Sequence, residues 1–133
     1  MPEPTPGAAM MPIGVGMPAW LILNDFGALV QAAFLSTPYL VGSAFTTKQP
    51  RDIDVRVIVS DRTFDDRFGP ETFGRPGNRW AAECRAFAAL GKEMTGLPVD
   101  FQVQPQSVAD THAGEPRRPL MALRTPEREH THA

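Results

Sequence analysis

Cysteine is almost missing from this chain: Cys84 stands alone, which excludes an internal disulfide and any multi-thiolate metal cluster. Its place in an apolar helical pattern makes it a small buried hydrophobe, and the compartment it suits is the reducing cytoplasm. Histidine is nearly as scarce. His112, His130 and His132 all fall in the last quarter of the chain without finger-like spacing, so neither a histidine-based triad nor a zinc site is expected. The sequence has no GxxxxGK[ST] loop and no dinucleotide-binding glycine fingerprint. Charge of one sign does not dominate: 13 Lys and Arg face 15 Asp and Glu, for a net charge of -2, and a pI near 5.9 gives no global field for nucleic acid or anionic membrane. The apolar run Trp20 to Leu35 is too short to span a bilayer and contains Asn24, Asp25 and Gln31, so it reads as a soluble helix. The segment before it has prolines and no Lys or Arg, unlike a signal peptide.

What is present divides into three parts. At 133 residues the chain suits a single domain, with no room for a separate substrate domain. Residues 1–17, rich in Pro, Gly and Met, read as a flexible arm; residues 18–104 carry the periodic patterns of a core; residues 105–133 shift to Pro, Arg, Thr, Glu and His and read as a tail. Within the core, Trp20, Leu23, Val30 and Phe34 recur at helical spacing, and "YLV" forms a short strand closed by Gly42-Ser43. From Asp52 the period becomes two, with Ile53, Val55, Val57 and Val59 on one face and Asp52, Asp54 and Arg56 on the other. Residues 60–78 form a long connection with at most one helical turn. Asn78 caps a second helix, with Trp80, Cys84, Phe87, Leu90 or Gly91, and Met94 as its buried stripe and Gly96 as its stop. "LPVDFQVQ" then alternates Val99, Phe101 and Val103 inward with Asp100, Gln102 and Gln104 outward. The expected fold class is α+β (α/β), a small mixed sheet of three to five strands with helices on one face.

Chemistry concentrates in the polar face of these strands. Two residues apart on a strand, Asp52 and Asp54 are about 6.6 Å apart along it and can share divalent ions. Carboxylates suit Mg²⁺, which keeps part of its shell for water and substrate phosphate. Gly42 lets the backbone approach a phosphate, and Ser43 offers a hydroxyl and an amide. Lys48 and Arg51 in the following loop are candidates to neutralise further phosphate charge. Asp100 completes the set if its strand lies beside the first, where it could take a proton from an attacking hydroxyl.

A strand, Gly42-Ser43, Asp52-x-Asp54 on the next strand and Asp100 on a later one: this order resembles the polymerase-beta-like nucleotidyltransferase superfamily over roughly Trp20 to Gln104. The short length is similar to its minimal, antitoxin-type members. The resemblance implies a nucleotidyltransferase fold and Mg²⁺-dependent transfer of a nucleoside monophosphate, AMP favoured, from an NTP to a hydroxyl, with Mn²⁺ as a substitute metal. It assigns Gly42 and Ser43 to the phosphate turn, Asp52 and Asp54 to metal ligation, and Asp100 to the third carboxylate. Implied acceptors are a protein, a tRNA or a small molecule, and a helical toxin is an implied partner. Two departures are evident: "GSAFTTKQPR" lacks the arginine that minimal members often place just after the serine, and Pro50 interrupts the approach to Asp52, where the family has a short helix.

Two alternatives stand beside this reading. One is a nucleotidyltransferase-fold binding or regulatory module without turnover; the other is an antitoxin that adenylylates or masks a partner toxin. A sheet with one bare face is also open to pairing with a second copy of the chain. The basic stretch "EPRRPLMALR" reads as a solvated tail segment.

Overall fold

Residues 12–121 are described by a computed structural model. The alternation of Ile53, Val55, Val57 and Val59 forms strand β2 (Ile53–Val59), and these four side chains are buried against helices on one sheet face. Strand β1 (Pro38–Val41) pairs antiparallel to β2, and β3 (Val99–Pro105) pairs parallel to it. A fourth strand, β4 (Arg117–Pro119), adds antiparallel to β1, so the order is β3-β2-β1-β4. With helices packed against this open mixed sheet, the fold is α+β.

Two long helices cover the apolar face. In α1 (Ala19–Phe34), Trp20, Leu23, Phe26, Val30 and Phe34 are buried at helical spacing. In α3 (Arg79–Thr95), Asn78 caps the start by accepting from the Ala81 amide at 2.9 Å, and Gly96 ends it in the left-handed conformation at φ 75°. Phe101 of β3 joins the layers, with ring centroids 6.2 Å from Phe26, 5.9 Å from Phe34 and 5.4 Å from Phe87. Trp80 donates its indole N–H to the Val103 carbonyl at 2.9 Å, tying α3 to β3. Cys84 is buried in this layer, and burial pushes its thiol up to about 11, leaving it protonated and inert at neutral pH. No helix among the described residues is long and apolar enough to cross a membrane.

Three expectations need correction. The connection after β2 holds a two-turn helix, α2 (Asp61–Phe68), rather than at most one turn. Ser60 caps it by accepting from the Thr63 amide, and Phe64 and Phe68, four residues apart, are both buried. The arm expected over residues 1–17 is packed in its described part: Gly14 donates to the Ala44 carbonyl at 2.8 Å, and Val15 is buried. Residues 1–11 lie outside the described residues.

The tail expected over residues 105–133 is also folded as far as residue 121. It supplies the short helix α4 (Gln106–Ala109), a 3-10 turn (Asp110–His112) and β4. Its anchor is Leu120, fully buried over Gly27 of α1, where a side chain on the glycine would meet the Leu120 Cβ at 2.5 Å. Buried Asn24 locks the same point, donating to the Trp20 carbonyl at 2.8 Å and accepting from the Met121 amide at 3.0 Å. "PLMAL" was the segment's sole apolar patch, and burying one leucine from it brings the preceding strand into the sheet. Residues 122–133 lie outside the described residues.

Leu120→Ala should therefore cost about 2–5 kcal/mol, as large-to-small changes at fully buried leucines do. Urea unfolding measures it; a loss under about 0.5 kcal/mol, the range of surface substitutions, would mean that β4 is not integral to the fold.

Candidate functional site

Strand alternation sends Asp54 and Arg56 of β2 and Asp100 and Gln102 of β3 to the face opposite the core. The parallel register sets Asp54 directly against Asp100, and Arg56 against Gln102. Asp52 stands one residue before β2, near the same end. As a result Asp52, Asp54 and Asp100 each offer a carboxylate oxygen within 4.8 Å of the others. Three half-buried carboxylates at this spacing form a hard oxygen donor set of the type that holds Mg²⁺ or Mn²⁺.

Gly42 borders this cluster. Val41 lies opposite Asp54 in the β1–β2 ladder, so the residue after it turns beside the carboxylates. Gly42 has φ 81°, and a Cβ there would collide with the Asp54 Oδ2. Only glycine meets both demands. A 3-10 turn, Gly42–Phe45, follows, with the Ser43 carbonyl accepting from the amides of Thr46 and Thr47 at 3.0 Å. Ser43 itself is exposed.

Arg56, which strand alternation places on this same face, takes part in the cluster. Its guanidinium lies 3.8 Å from Asp54 Oδ1 and 3.5 Å from Asp100 Oδ2, and donates to the backbone carbonyls of Asp100 at 2.8 Å and Val55 at 3.0 Å. Those backbone bonds fix the cation against two of the three acids. The signal available in the sequence was an arginine two positions after an Asp-x-Asp pair on a strand. Lys48 and Arg51, by contrast, are exposed loop residues without an ion pair among the described residues.

The electrostatics of Asp54 follow from this geometry. Burial raises its carboxyl above the ordinary 3.8; Arg56 pulls it down, and Asp100 and Asp52 push it up again. Two depressions flank the cluster. One, of about 360 Å³, lies between α3 and the β3 edge and reaches Asp52 and Asp100. The other, of about 240 Å³, lies on the sheet face beyond Arg56.

No family model, no curated protein and no solved structure matches the chain at a significant level.

Because the folded state holds the Asp54 proton more tightly than the unfolded state, that group's contribution to stability is complete below about pH 3.8 and is lost as pH rises through the raised value. In metal-free protein, Asp54→Asn should thus raise the melting temperature at neutral pH, and the gain should shrink below about pH 4. Thermal melts in chelator across pH check this; a variant less stable at neutral pH would show that the Arg56 contact outweighs desolvation. Gly42→Ala should displace the Asp54 carboxylate and weaken Mg²⁺ binding by calorimetry; affinity equal to wild type would remove Gly42 from the site.

Proposed function

We propose that the chain is a nucleotidyltransferase that moves a nucleoside monophosphate, AMP favoured, from an NTP to a hydroxyl acceptor in the cytoplasm. The observation that carries this reading is the meeting of Asp52, Asp54 and Asp100 within 4.8 Å beside the Gly42 turn. The order of these residues along the chain, which resembles the polymerase-beta-like superfamily, supports it.

Asp52, Asp54 and Asp100 would hold the metal. Mg²⁺ there would supply charge neutralisation for the phosphates and would ease deprotonation of the acceptor hydroxyl. The chain's own groups do the rest. Gly42 keeps the backbone low enough for a triphosphate to approach, and the Ser43 hydroxyl is available to its terminal phosphates. Arg56 holds the Asp54 and Asp100 carboxylates in place through its backbone bonds. The Asp100 side chain is 45% exposed, so it can receive the acceptor's proton. The acceptor oxygen then bonds to the α-phosphorus, the bridging bond to the β-phosphate breaks, and pyrophosphate departs.

Incubation with labelled ATP, Mg²⁺ and a panel of hydroxyl acceptors tests this. The wild type should label an acceptor, chelator should abolish the transfer, and Mn²⁺ should restore it. Asp100→Asn should lower the rate by about 10²–10⁴-fold, the usual worth of a general base. Equal activity in wild type and an Asp52→Ala, Asp54→Ala double variant would overturn the assignment.

A second reading, a binding module without turnover, is favoured by the Arg56 guanidinium, a positive charge already within ion-pair reach of Asp54 and Asp100. Calorimetric binding of NTP that is indifferent to Mg²⁺ and to the double variant would support it instead.

A further inference from the structure

The cavity of about 240 Å³ lies on the same sheet face as the carboxylates but one strand row further along. The ladder orders the face in rows: Val41, Asp54 and Asp100; then Tyr39, Arg56 and Gln102; then Ile58 and Gln104. Each row is about 6.6 Å from the last. The Gly42-Ser43 turn follows Val41, so it leaves the first row on the side away from the cavity. Asp54 and Asp100 therefore stand between the turn and the cavity.

Phosphoryl transfer is in line, with attacking and leaving oxygens on opposite sides of the phosphorus. If pyrophosphate leaves toward Gly42 and Ser43, the acceptor arrives from the cavity side. We propose that this cavity is the acceptor site and that it takes the base of a nucleoside or nucleotide whose hydroxyl is presented to Asp100. The inference rests on the transferase reading above.

The lining argues for that ligand class. Tyr39, Ile58 and Phe73 give apolar and aromatic walls suited to a flat ring and unsuited to a polyol. The volume is below the roughly 300–1,000 Å³ of sites for drug-sized ligands, and suits one ring system. Gln104, buried, donates to Gln102 at 3.2 Å, which uses one donor and one acceptor of the two amides. Among the described residues the Gln104 Oε1 and the Gln102 Nε2 have no hydrogen-bond partner, so the pair keeps one acceptor and one donor for the polar edge of a base. Arg56 borders the cavity on the carboxylate side, and Arg117 stacks over Tyr39 at 4.8 Å from the ring centroid. Arg56 is already paired with Asp54 and Asp100, and Glu115 also lines the cavity, so the charge there is mixed.

The test is calorimetric titration of the full chain with the four nucleosides, and with a short RNA ending in a free 3′-hydroxyl, in the absence of NTP. At least one nucleoside should bind, and Gln104→Leu and the cavity-filling Val108→Trp should each weaken it by about tenfold or more, as loss of a bidentate base contact does. Asp52→Ala should leave it unchanged, which separates the cavity from the metal site. Tighter binding of the RNA than of its terminal nucleoside would identify a polymer end as the acceptor; equal affinity would identify the free nucleoside. Absence of binding, or binding indifferent to both cavity variants, overturns the proposal. A fall in Mg²⁺·ATP affinity in Gln104→Leu matching the fall for the nucleoside would place the donor's base in the cavity, and this too overturns it. If nucleosides bind through Gln104 while Mg²⁺·ATP does not bind at all, the acceptor role falls together with the transferase reading.

Discussion

Everything at this site depends on one parallel pairing. The ladder between β2 and β3 sets Asp54 against Asp100, and a slip of one residue would turn Asp100 into the core and Phe101 into water. Several contacts hold the register. The Ile53 amide donates to the Pro98 carbonyl at 2.7 Å, and at the other end the Trp80 indole fixes Val103 from outside the sheet. Phe101, packed among Phe26, Phe34 and Phe87, makes any shift expensive in buried aromatic contact. The core thus positions acids that it never touches.

Gathering three carboxylates opposes folding, because each carries charge that repels the others and loses water. The structure offsets this in two ways. The acids stay half-exposed at the strand ends, and Arg56 is braced by two carbonyls so that its charge stays beside Asp54 and Asp100. Gly42 adds a steric condition, since its missing side chain is what lets β1 turn so close to Asp54. Charge balance and backbone shape are therefore two parts of one arrangement.

Much of this was legible in the residues. Period-two runs around Ile53–Val59 and Val99–Val103 fixed which side chains share a face, and the Asn78 and Gly96 caps bounded α3 closely. The three acids were identifiable as a set because alternation put each on a polar face. Proximity of Asp100 was not legible, since the spacing of two strands along the chain does not state whether they are neighbours; that is decided by the crossover through α2 and α3. The segment after residue 105 misled for a different reason. Its composition is that of solvated chain, and the decisive fact, one leucine opposite one glycine on α1, is a pairing between distant residues that local pattern cannot reveal. Arg56 was visible but mute, because its role comes from the backbone carbonyls around it.

The bond between Asn24 and Met121 closes a sequence separation of 97 residues. Ribosomes add about 5–20 residues per second, so α1 exists for on the order of ten seconds before its cover is made. Throughout that interval the notch at Gly27 is wet and the free edge of β1 is open to other strands. The native sheet can close only once residue 121 has been made, so the pairing of β4 with β1 is the last of the described strand pairings to become possible during translation.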